Sequence, residues 1–166
     1  PINSRFKPRE LRQVIVHAGM KVVFTTASDA GTDFNELIQR TFPQIAESGS
    51  ASLNFEEAPE LQTVVVLDET ERPGTVNLTE LNRLAEGVSD EEVLFRQSGV
   101  RVRETAIIMY TSGTTAMPKG AMLSHEAFSR YSISLQERML LNEDDRIWSA
   151  LPMFHIGGVA FMLASL

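Results

Sequence analysis

Short apolar runs rich in β-branched residues alternate with helical patterns along this chain, and this alternation constrains its fold more than any other feature. Strand signals occur at residues 21–25, 63–67, 105–110 and 146–151. Segments in which apolar residues recur at helical spacing separate these four runs. Strands separated by helices favour an α/β fold with a mainly parallel sheet flanked by helices.

The helices are predicted from their caps and their apolar spacing. Pro8 introduces the first helix, residues 32–33 cap the second, and Thr79 begins the third. The acidic run within residues 89–92 favours the start of a short fourth helix, because carboxylates stabilise a helix N-terminus. Ser124 caps a long helix with an apolar stripe formed by Phe128, Tyr131, Leu135 and Met139.

Weaker signals lie in the remaining segments. Residues 44–60 are polar and are predicted to form a loop. Residues 156–166 are apolar throughout, but they fall short of the roughly 20 residues that a membrane-spanning helix needs, so they predict a buried helix. Trp148 has apolar neighbours and is expected in the core.

Residues 110–120, here called the hydroxyl–lysine segment, read Tyr-Thr-Ser-Gly-Thr-Thr-Ala-Met-Pro-Lys-Gly and directly follow a predicted strand. Small side chains leave backbone N–H groups accessible to an anion, and the hydroxyls and the lysine add donors and positive charge. No Asp or Glu occurs between Glu104 and Glu126, although the formal net charge of the chain is −7. The pattern therefore indicates a phosphate-binding loop.

Two alternatives to this interpretation are the P-loop of nucleotide hydrolases and a surface turn that binds nothing. The P-loop pattern, G-x-x-x-x-G-K-[ST], requires a hydroxyl residue directly after the lysine, whereas Gly120 follows Lys119 here. The P-loop is therefore excluded, and the surface turn stays open. Against it, Lys119 is one of only three lysines, with Lys7 and Lys21, so it is not part of a general basic face.

The hydroxyl–lysine segment resembles the phosphate-loop signature of the adenylate-forming superfamily, [YF]-T-S-G-T-T-G-x-P-K-G, and departs from it at Ala116. Leu151–Gly158, here called the histidine–glycine segment, resembles the L-P-x-F-H-x-x-G segment of the acyl- and aryl-CoA ligases in that superfamily. Pro1–Phe6 and Ala18–Val23 carry a weaker resemblance to its early segments. The resemblance implies that residues 1–166 are part of a larger, layered αβα N-terminal domain, truncated at both ends and lacking the C-terminal domain.

The resemblance also implies a reaction. An AMP-forming acid–thiol ligase uses ATP and Mg²⁺ to convert a fatty or aryl carboxylate into an acyl-adenylate, and it then transfers the acyl group to coenzyme A. The positions that match the superfamily's phosphate-binding residues are Thr111, Ser112, Gly113, Thr114, Thr115, Ala116, Lys119 and Gly120. The resemblance also places Thr111 near the metal ion, makes Lys119, Thr114 and His155 the expected catalytic residues, and puts beside the substrate carboxylate His155, Gly157 and Gly158.

Ligands of parallel sheets bind beyond the carboxyl ends of the strands. Since each of the two segments follows a predicted strand, we expect both at one edge of the sheet, facing one crevice. A neutral carboxylate is favoured over an amino acid, because His155 stands where amino-acid-activating relatives have an aspartate. His155 is also compatible with an ordinary packed histidine between Phe154 and Ile156.

Two further functions stay open. One is a relative that passes its acyl group to a carrier protein or to oxygen, and the other is a degenerate nucleotide-binding module in which Ala116 marks lost catalysis. The absence of cysteine excludes a disulfide scaffold and a thiolate metal site. We expect a cytoplasmic protein with small-molecule partners, no nucleic acid and no membrane span, in which an oligomer is possible. Residues 1–166 alone are expected to be inactive, because the superfamily's later motifs have no counterpart here.

Overall fold

The computed structural model describes residues 1–29, 31–111 and 118–165. Its elements divide into two compact units. The first unit contains residues 5–97, and the second runs from Ser98 onward and includes Pro1–Ser4. Each unit has its own paired strands and its own helices.

A parallel pair of strands forms the centre of the first unit. The strands of this unit are β1 (Val22–Thr25), β2 (Ser28–Asp29), β3 (Thr32–Asp33) and β4 (Thr63–Val66). The helices of this unit are α1 (Pro8–His17), α2 (Phe34–Thr41), α3 (Gln44–Glu47), α4 (Leu78–Ala85) and α5 (Asp90–Ser98), whose last residue reaches the second unit. Strand β1 pairs with β4 in parallel, with Val23 beside Val64, and a parallel bridge from Val65 to Val76 extends this sheet. Strands β2 and β3 form a short antiparallel pair.

The core of the first unit includes buried residues of β4 and of the first three helices. Val64 of β4 is fully buried, as are Phe42 and Ile45 at the ends of α2 and α3. Arg12 of α1 connects these helices, because its guanidinium donates hydrogen bonds to the carbonyl of Thr41 and to the carboxylate of Glu57. The same guanidinium lies 5.2 Å from the ring centroid of Phe42, a distance at which a cation is attracted to an aromatic face.

The turn after β4 is closed by an ion pair and by a glycine. The carboxylate of Asp68 accepts two hydrogen bonds of 2.7 Å from Arg72, and these bonds are the main reason that the pKa of Asp68 lies below its ordinary value. Gly74 has a φ of 66°, which favours glycine. A Cβ at this position would also lie 2.4 Å from the carbonyl oxygen of Ile45, so only glycine fits.

The second unit combines an antiparallel hairpin with two helices. Its elements are β5 (Thr105–Thr111), β6 (Lys119–Ser124), α6 (His125–Met139) and α7 (Ile156–Ala164). Strands β5 and β6 pair from Thr105 opposite Ser124 to Thr111 opposite Lys119. A buried cluster of Met109, Phe128 and Val159 joins the hairpin to α6 and α7, and three half-buried residues pack against it: Ile107, Leu123 and Leu163.

The predicted α/β fold, with a parallel sheet flanked by helices, is confirmed by this arrangement. Most individual predictions are also confirmed, including the Ser124 cap, whose hydroxyl accepts the N–H of Ala127 at 3.2 Å. The predicted stripe on α6 is only half right, because Phe128 is buried whereas Tyr131 and Met139 are exposed. Ser132, one turn after Phe128, takes the buried position instead.

Three predictions about the remaining segments are wrong. Residues 146–151 form no strand, because no described strand pairs with them; they follow a turn in which Asn142 donates from its backbone and from its side chain to the Asp145 carboxylate. Trp148 is 87% exposed and does not lie in the core. Residues 44–60 are not entirely a loop, since they contain α3, and β6 was not predicted at all.

Helix α6 ends at a leucine in a left-handed conformation. Leu140 has φ 55° and ψ 37°, and its side chain is 85% exposed. The N–H of Leu141 donates to the carbonyl of Gln136 at 3.0 Å, as in a Schellman cap, where glycine is the usual residue. A β-carbon costs about 1–2 kcal/mol in this conformation, and the exposed side chain gains little packing in return.

We expect Leu140→Gly to raise the free energy of unfolding by about 0.5–1 kcal/mol, because it removes the steric cost of the left-handed residue. Chemical denaturation of the full-length protein measures the change. Met139→Gly, at the last residue of the helix, is the matched control and is expected to lower the free energy of unfolding by up to about 1 kcal/mol, because this residue is helical and glycine relieves no strain there. Equal destabilisation by both substitutions would show that the left-handed cap carries no strain.

Candidate functional site

The hydroxyl–lysine segment joins two antiparallel strands. Strand β5 ends at Thr111 and β6 begins at Lys119, and these two residues are directly paired. The hydroxyl of Thr111 donates to the backbone carbonyl of Lys119 at 3.4 Å. Both residues are exposed, whereas Pro118 is buried. The segment is therefore the end of a hairpin, and the pairing of its strands places a hydroxyl residue beside a lysine.

Part of this segment lies outside the described residues. The residues concerned are 112–117, which include the predicted phosphate-binding positions Ser112, Gly113, Thr114, Thr115 and Ala116. The roles assigned to them stay predictions, including the catalytic role of Thr114. Among the predicted phosphate-binding residues, the structure describes Thr111, Lys119 and Gly120.

Thr111 and Lys119 lie on the face of the hairpin that the helices cover. Side chains alternate between the two faces of a strand, and directly opposite residues share a face. Met109 and its partner Ala121 belong to the face that packs on α6 and α7 through the buried cluster. Thr111 and Lys119 are two residues beyond that pair, so they continue the same face at its exposed end.

The opposite face of the hairpin carries Tyr110 beside Gly120. A Cβ on residue 120 would lie 2.8 Å from Cγ2 of Ile108 and 3.2 Å from the Tyr110 ring, so there is no room for a larger residue. Partial burial raises the pKa of the Tyr110 phenol above its ordinary value. Sequence reasoning assigned no role to Tyr110 because β6 had not been predicted; the pairing of the two strands is the missing information.

The histidine–glycine segment forms a turn and the first turn of α7. His155 is the N-cap residue, with extended backbone, and its side chain makes no capping hydrogen bond. Its backbone N–H donates to the carbonyl of Pro152 at 3.0 Å, and its ring centroid lies 4.7 Å from that of Phe154. The imidazole is exposed at the N-terminal end of α7. The residue is therefore not a packed core histidine, which was the alternative interpretation.

Gly158 is buried where this turn passes close to α7. A Cβ on Gly158 would lie 2.4 Å from the carbonyl oxygen of Pro152 and 2.8 Å from that of Leu151. At Gly157 the nearest atom is Cδ1 of Leu151, at 3.1 Å, which is the flexible end of a side chain. Close packing within the protein is therefore enough to explain why residue 158 is a glycine. The predicted substrate contacts of Gly157 and Gly158 stay predictions.

The two segments are not arranged as the sequence suggested. The hydroxyl–lysine segment leaves an antiparallel strand, and residues 146–151 before the histidine–glycine segment are irregular. They therefore do not follow successive parallel strands at one sheet edge. They are connected in another way, because β5 and α7 share the buried cluster of Met109, Phe128 and Val159.

The charges around the hairpin favour an anionic ligand. Within residues 1–29, 31–111 and 118–165, no carboxylate forms an ion pair with Lys119. The first acidic residue after the loop, Glu126, is neutralised by Arg130 at 2.8 Å and by Arg103 at 3.8 Å. The Lys119 charge is therefore directed to solvent and not cancelled by the described part of the protein.

Other candidate features lie elsewhere. A groove of about 830 Å³ lies at the C-terminal ends of α6 and α7, next to Asn142 and Ser165, and none of the predicted site residues lines it. In the described part of the chain, no group of three or more His, Asp or Glu side chains is placed to hold a metal ion, so the metal role of Thr111 stays a prediction. No helix among the described residues is long and apolar enough to cross a membrane.

Comparison with known proteins decides the family. The family model of the AMP-binding enzymes matches residues 1–166, the whole chain. The chain belongs to the AMP-binding enzyme family. This finding agrees with the resemblance of the hydroxyl–lysine and histidine–glycine segments to the adenylate-forming superfamily.

Individual AMP-binding relatives match nearly all of the chain. YngI of Bacillus subtilis is 26% identical over 157 residues, which cover 95% of this chain and 29% of YngI. The human protein named mitochondrial medium-chain acyl-CoA ligase ACSF2 is 28% identical over 167 residues, which cover 96% of this chain and 27% of that protein. This AMP-binding chain thus spans less than a third of the length of these relatives.

The solved structures show the same fold. One solved structure is named as a long-chain-fatty-acid-CoA ligase, FadD1, from Archaeoglobus fulgidus. It superposes on this chain with a TM-score of 0.63 and 21% identity, and the alignment covers 100% of this chain and 28% of FadD1. Another neighbour is named as the N-terminal domain of FACL13 from Mycobacterium tuberculosis; its TM-score is 0.61 and its identity 22%, and the alignment covers 99% of this chain and 34% of that one. The predicted α/β fold of this chain is thereby confirmed.

We expect Gly158→Ala to lower the free energy of unfolding by about 1–3 kcal/mol, because the new methyl group collides with two backbone carbonyls that cannot swing away. Gly157→Ala is the matched control: its methyl group meets only a flexible leucine end, and alanine gains up to about 1 kcal/mol in helix propensity. Denaturant unfolding of the full-length protein measures both. Equal stability of the two variants would contradict the steric account of Gly158.

Proposed function

We propose that this chain is part of an ATP-dependent, AMP-forming acyl-CoA ligase. The observation that carries the proposal is the pairing of Thr111 with Lys119 at the exposed end of a hairpin, with no carboxylate partner for Lys119 among the described residues. Membership of the AMP-binding family supports nucleotide binding at this hairpin. The names of the human relative and of the archaeal structure support an acyl carboxylate as the second substrate.

The proposed reaction has two steps. An oxygen of the substrate carboxylate attacks the α-phosphorus of ATP, the bond to the β-phosphate oxygen breaks, and pyrophosphate leaves. The sulfur of coenzyme A then attacks the acyl carbonyl carbon of the acyl-adenylate and AMP leaves, while the thiol proton passes to solvent. Negative charge builds up on the departing pyrophosphate in the first step, so donors and cations that face it lower the barrier.

The hydroxyl–lysine segment supplies these groups. Lys119 neutralises the phosphates, and its hydrogen bond to a charged oxygen contributes about 1.5–3 kcal/mol. The backbone and hydroxyl donors of the segment hold the phosphate oxygens: Thr111, Ser112, Gly113, Thr114, Thr115 and Ala116. Thr111 also offers one oxygen ligand for Mg²⁺, which suits an ion that takes most of its ligands from phosphate and water.

The histidine–glycine segment is proposed to hold the carboxylate. His155 is exposed and its side chain is not used as a helix cap, so it is available to a ligand at the N-terminus of α7. The N–H groups of Gly157 and Gly158 lie in the first turn of that helix, where the helix dipole favours an anion. Because a histidine, and not an acid, stands at position 155, the proposed substrate is a fatty or aryl carboxylate without an amino group.

The remaining parts of the proposal concern the whole protein. We propose that residues 1–166 alone do not complete the reaction and that the full-length protein is cytoplasmic, although the human relative is named as mitochondrial. The specific observation that favours a second candidate is Ala116, at a position where the superfamily has glycine. That candidate is a nucleotide-binding module without ligase activity.

We expect Lys119→Ala to lower kcat/KM for ATP about 10- to 100-fold in the full-length protein, because one charge-assisted hydrogen bond to phosphate is lost. Carboxylate-dependent exchange between pyrophosphate and ATP measures this step. Lys21→Ala is the matched control, since Lys21 is exposed and matches no position of the phosphate-loop signature, and it is expected to leave the exchange unchanged.

Exchange that is equally fast in the Lys119 variant and in the wild type would contradict the proposed role of the hairpin. A wild-type protein that binds ATP but shows no exchange with any fatty or aryl carboxylate would favour the binding module instead.

A further inference from the structure

The last glycine of the hydroxyl–lysine segment is enclosed by side chains of the neighbouring strand. Gly120 lies directly opposite Tyr110, in the pair next to Thr111 and Lys119. The Tyr110 ring and Cγ2 of Ile108 lie close to the place where a side chain of residue 120 would be. A Cβ on Gly120 would lie 3.2 Å from the Tyr110 ring and 2.8 Å from Cγ2 of Ile108. We call these three residues, Ile108, Tyr110 and Gly120, the glycine seat.

We propose that Gly120 is a positioning residue, and that the glycine seat sets the place of Lys119 without touching the nucleotide. This inference rests on the proposed function of the hairpin. It assigns Gly120 a different role from the one that the family resemblance suggests, which is direct phosphate binding.

The effect of a side chain at position 120 depends on which neighbouring atoms are able to move. Cγ2 of Ile108 is bonded directly to Cβ, and χ1 of a β-branched side chain is restricted, so this methyl group does not swing aside at little cost. A side chain at position 120 therefore pushes β6 away from β5 at the pair next to Lys119. Lys119, the neighbour of Gly120 in the chain, then shifts with the strand.

A small shift has a large effect at this position. Site residues work within about 0.5 Å of their productive geometry, and a displacement of about 1 Å reduces activity about 100-fold. The shift affects the nucleotide more than the carboxylate, because His155 caps the N-terminus of α7 and does not lie on the hairpin. A side chain at position 120 would also be on the opposite face of the hairpin from the proposed phosphate-binding side chains. Gly120 shares its face with Ile108, whereas Thr111 and Lys119 lie on the other face.

The test compares four variants of the full-length protein: Gly120→Ala, Ile108→Ala, the double variant with both changes, and Met122→Ala as control. Met122 lies opposite Ile108 on the same face and is 68% exposed, so its truncation leaves the glycine seat intact. Pyrophosphate exchange gives KM for ATP and KM for the carboxylate separately, and thermal unfolding shows whether each variant is folded.

We expect Gly120→Ala to raise KM for ATP about tenfold or more and to change KM for the carboxylate by less than about twofold. The double variant is expected to return KM for ATP to within about threefold of the wild type, because Ile108→Ala removes the methyl group that the new Cβ meets. Met122→Ala is expected to leave both constants unchanged. If Gly120→Ala does not fold, a folded double variant with nearly normal KM for ATP gives the same support.

Three results overturn the proposal. An unchanged KM for ATP in Gly120→Ala shows that the glycine seat does not set the position of Lys119. If KM for ATP stays raised in the double variant, residue 120 contacts the nucleotide itself. If KM for ATP and KM for the carboxylate rise equally, the substitution disturbs the whole site and not Lys119 alone. Absence of exchange in the wild type is distinguishable from these results, because it overturns the proposed function and this inference together.

Discussion

The antiparallel pairing of β5 with β6 is the constraint on which the candidate site depends. It brings Thr111 beside Lys119 across the loop that separates them in sequence. A two-stranded hairpin is only marginally stable in water, so this pairing needs support from packing. The support comes from Met109, whose face of the hairpin is buried with Phe128 of α6 and Val159 of α7. The geometry of the exposed end thus follows from an apolar cluster a few residues away.

The same cluster connects the two segments, distant in sequence, that are proposed to form one site. Helix α7 packs on the hairpin through Val159, and it begins one turn earlier, after His155. The turn before the helix is held against it at Gly158, where backbone approaches backbone. A single packed interface therefore determines the positions of a lysine that faces phosphate and a histidine that faces carboxylate in the proposed reaction.

The glycines of the two segments have more than one physical role. Gly158 and Gly120 are both required by close contact within the protein, the first with backbone and the second with side chains of β5. Gly157 is not, because only the flexible end of Leu151 lies near it. A glycine inside a ligand-binding signature is therefore not in itself a sign of ligand contact. A second substitution that removes the neighbouring atoms distinguishes a glycine required by packing from one required by the ligand.

Local patterns in the sequence predicted most of the helices and three of the strands correctly, because caps such as Ser124 and apolar runs such as residues 63–67 carry their signal within a few residues. Strand β6 was missed because it contains a glycine and has no clear alternation, so only its partner defines it. Residues 146–151 were predicted as a strand although they include Arg146 and Ser149 among apolar residues, and no described strand pairs with them.

Local sequence patterns predict the candidate site only in part, for the same reason. Its residues were found by their order in the sequence, which is local information. The antiparallel geometry at Lys119 and the crowding around Gly120 depend on pairing between strands, which no local pattern records.

The most direct test of the central claim is a crystal structure of the full-length protein with ATP and Mg²⁺, in which the position of the Lys119 side chain is measured. The account predicts that Nζ of Lys119 lies within hydrogen-bonding distance, about 2.7–3.2 Å, of a β- or γ-phosphate oxygen, with Thr111 on the same face of the hairpin. A triphosphate bound elsewhere, with Lys119 paired to a carboxylate of the protein, would contradict it.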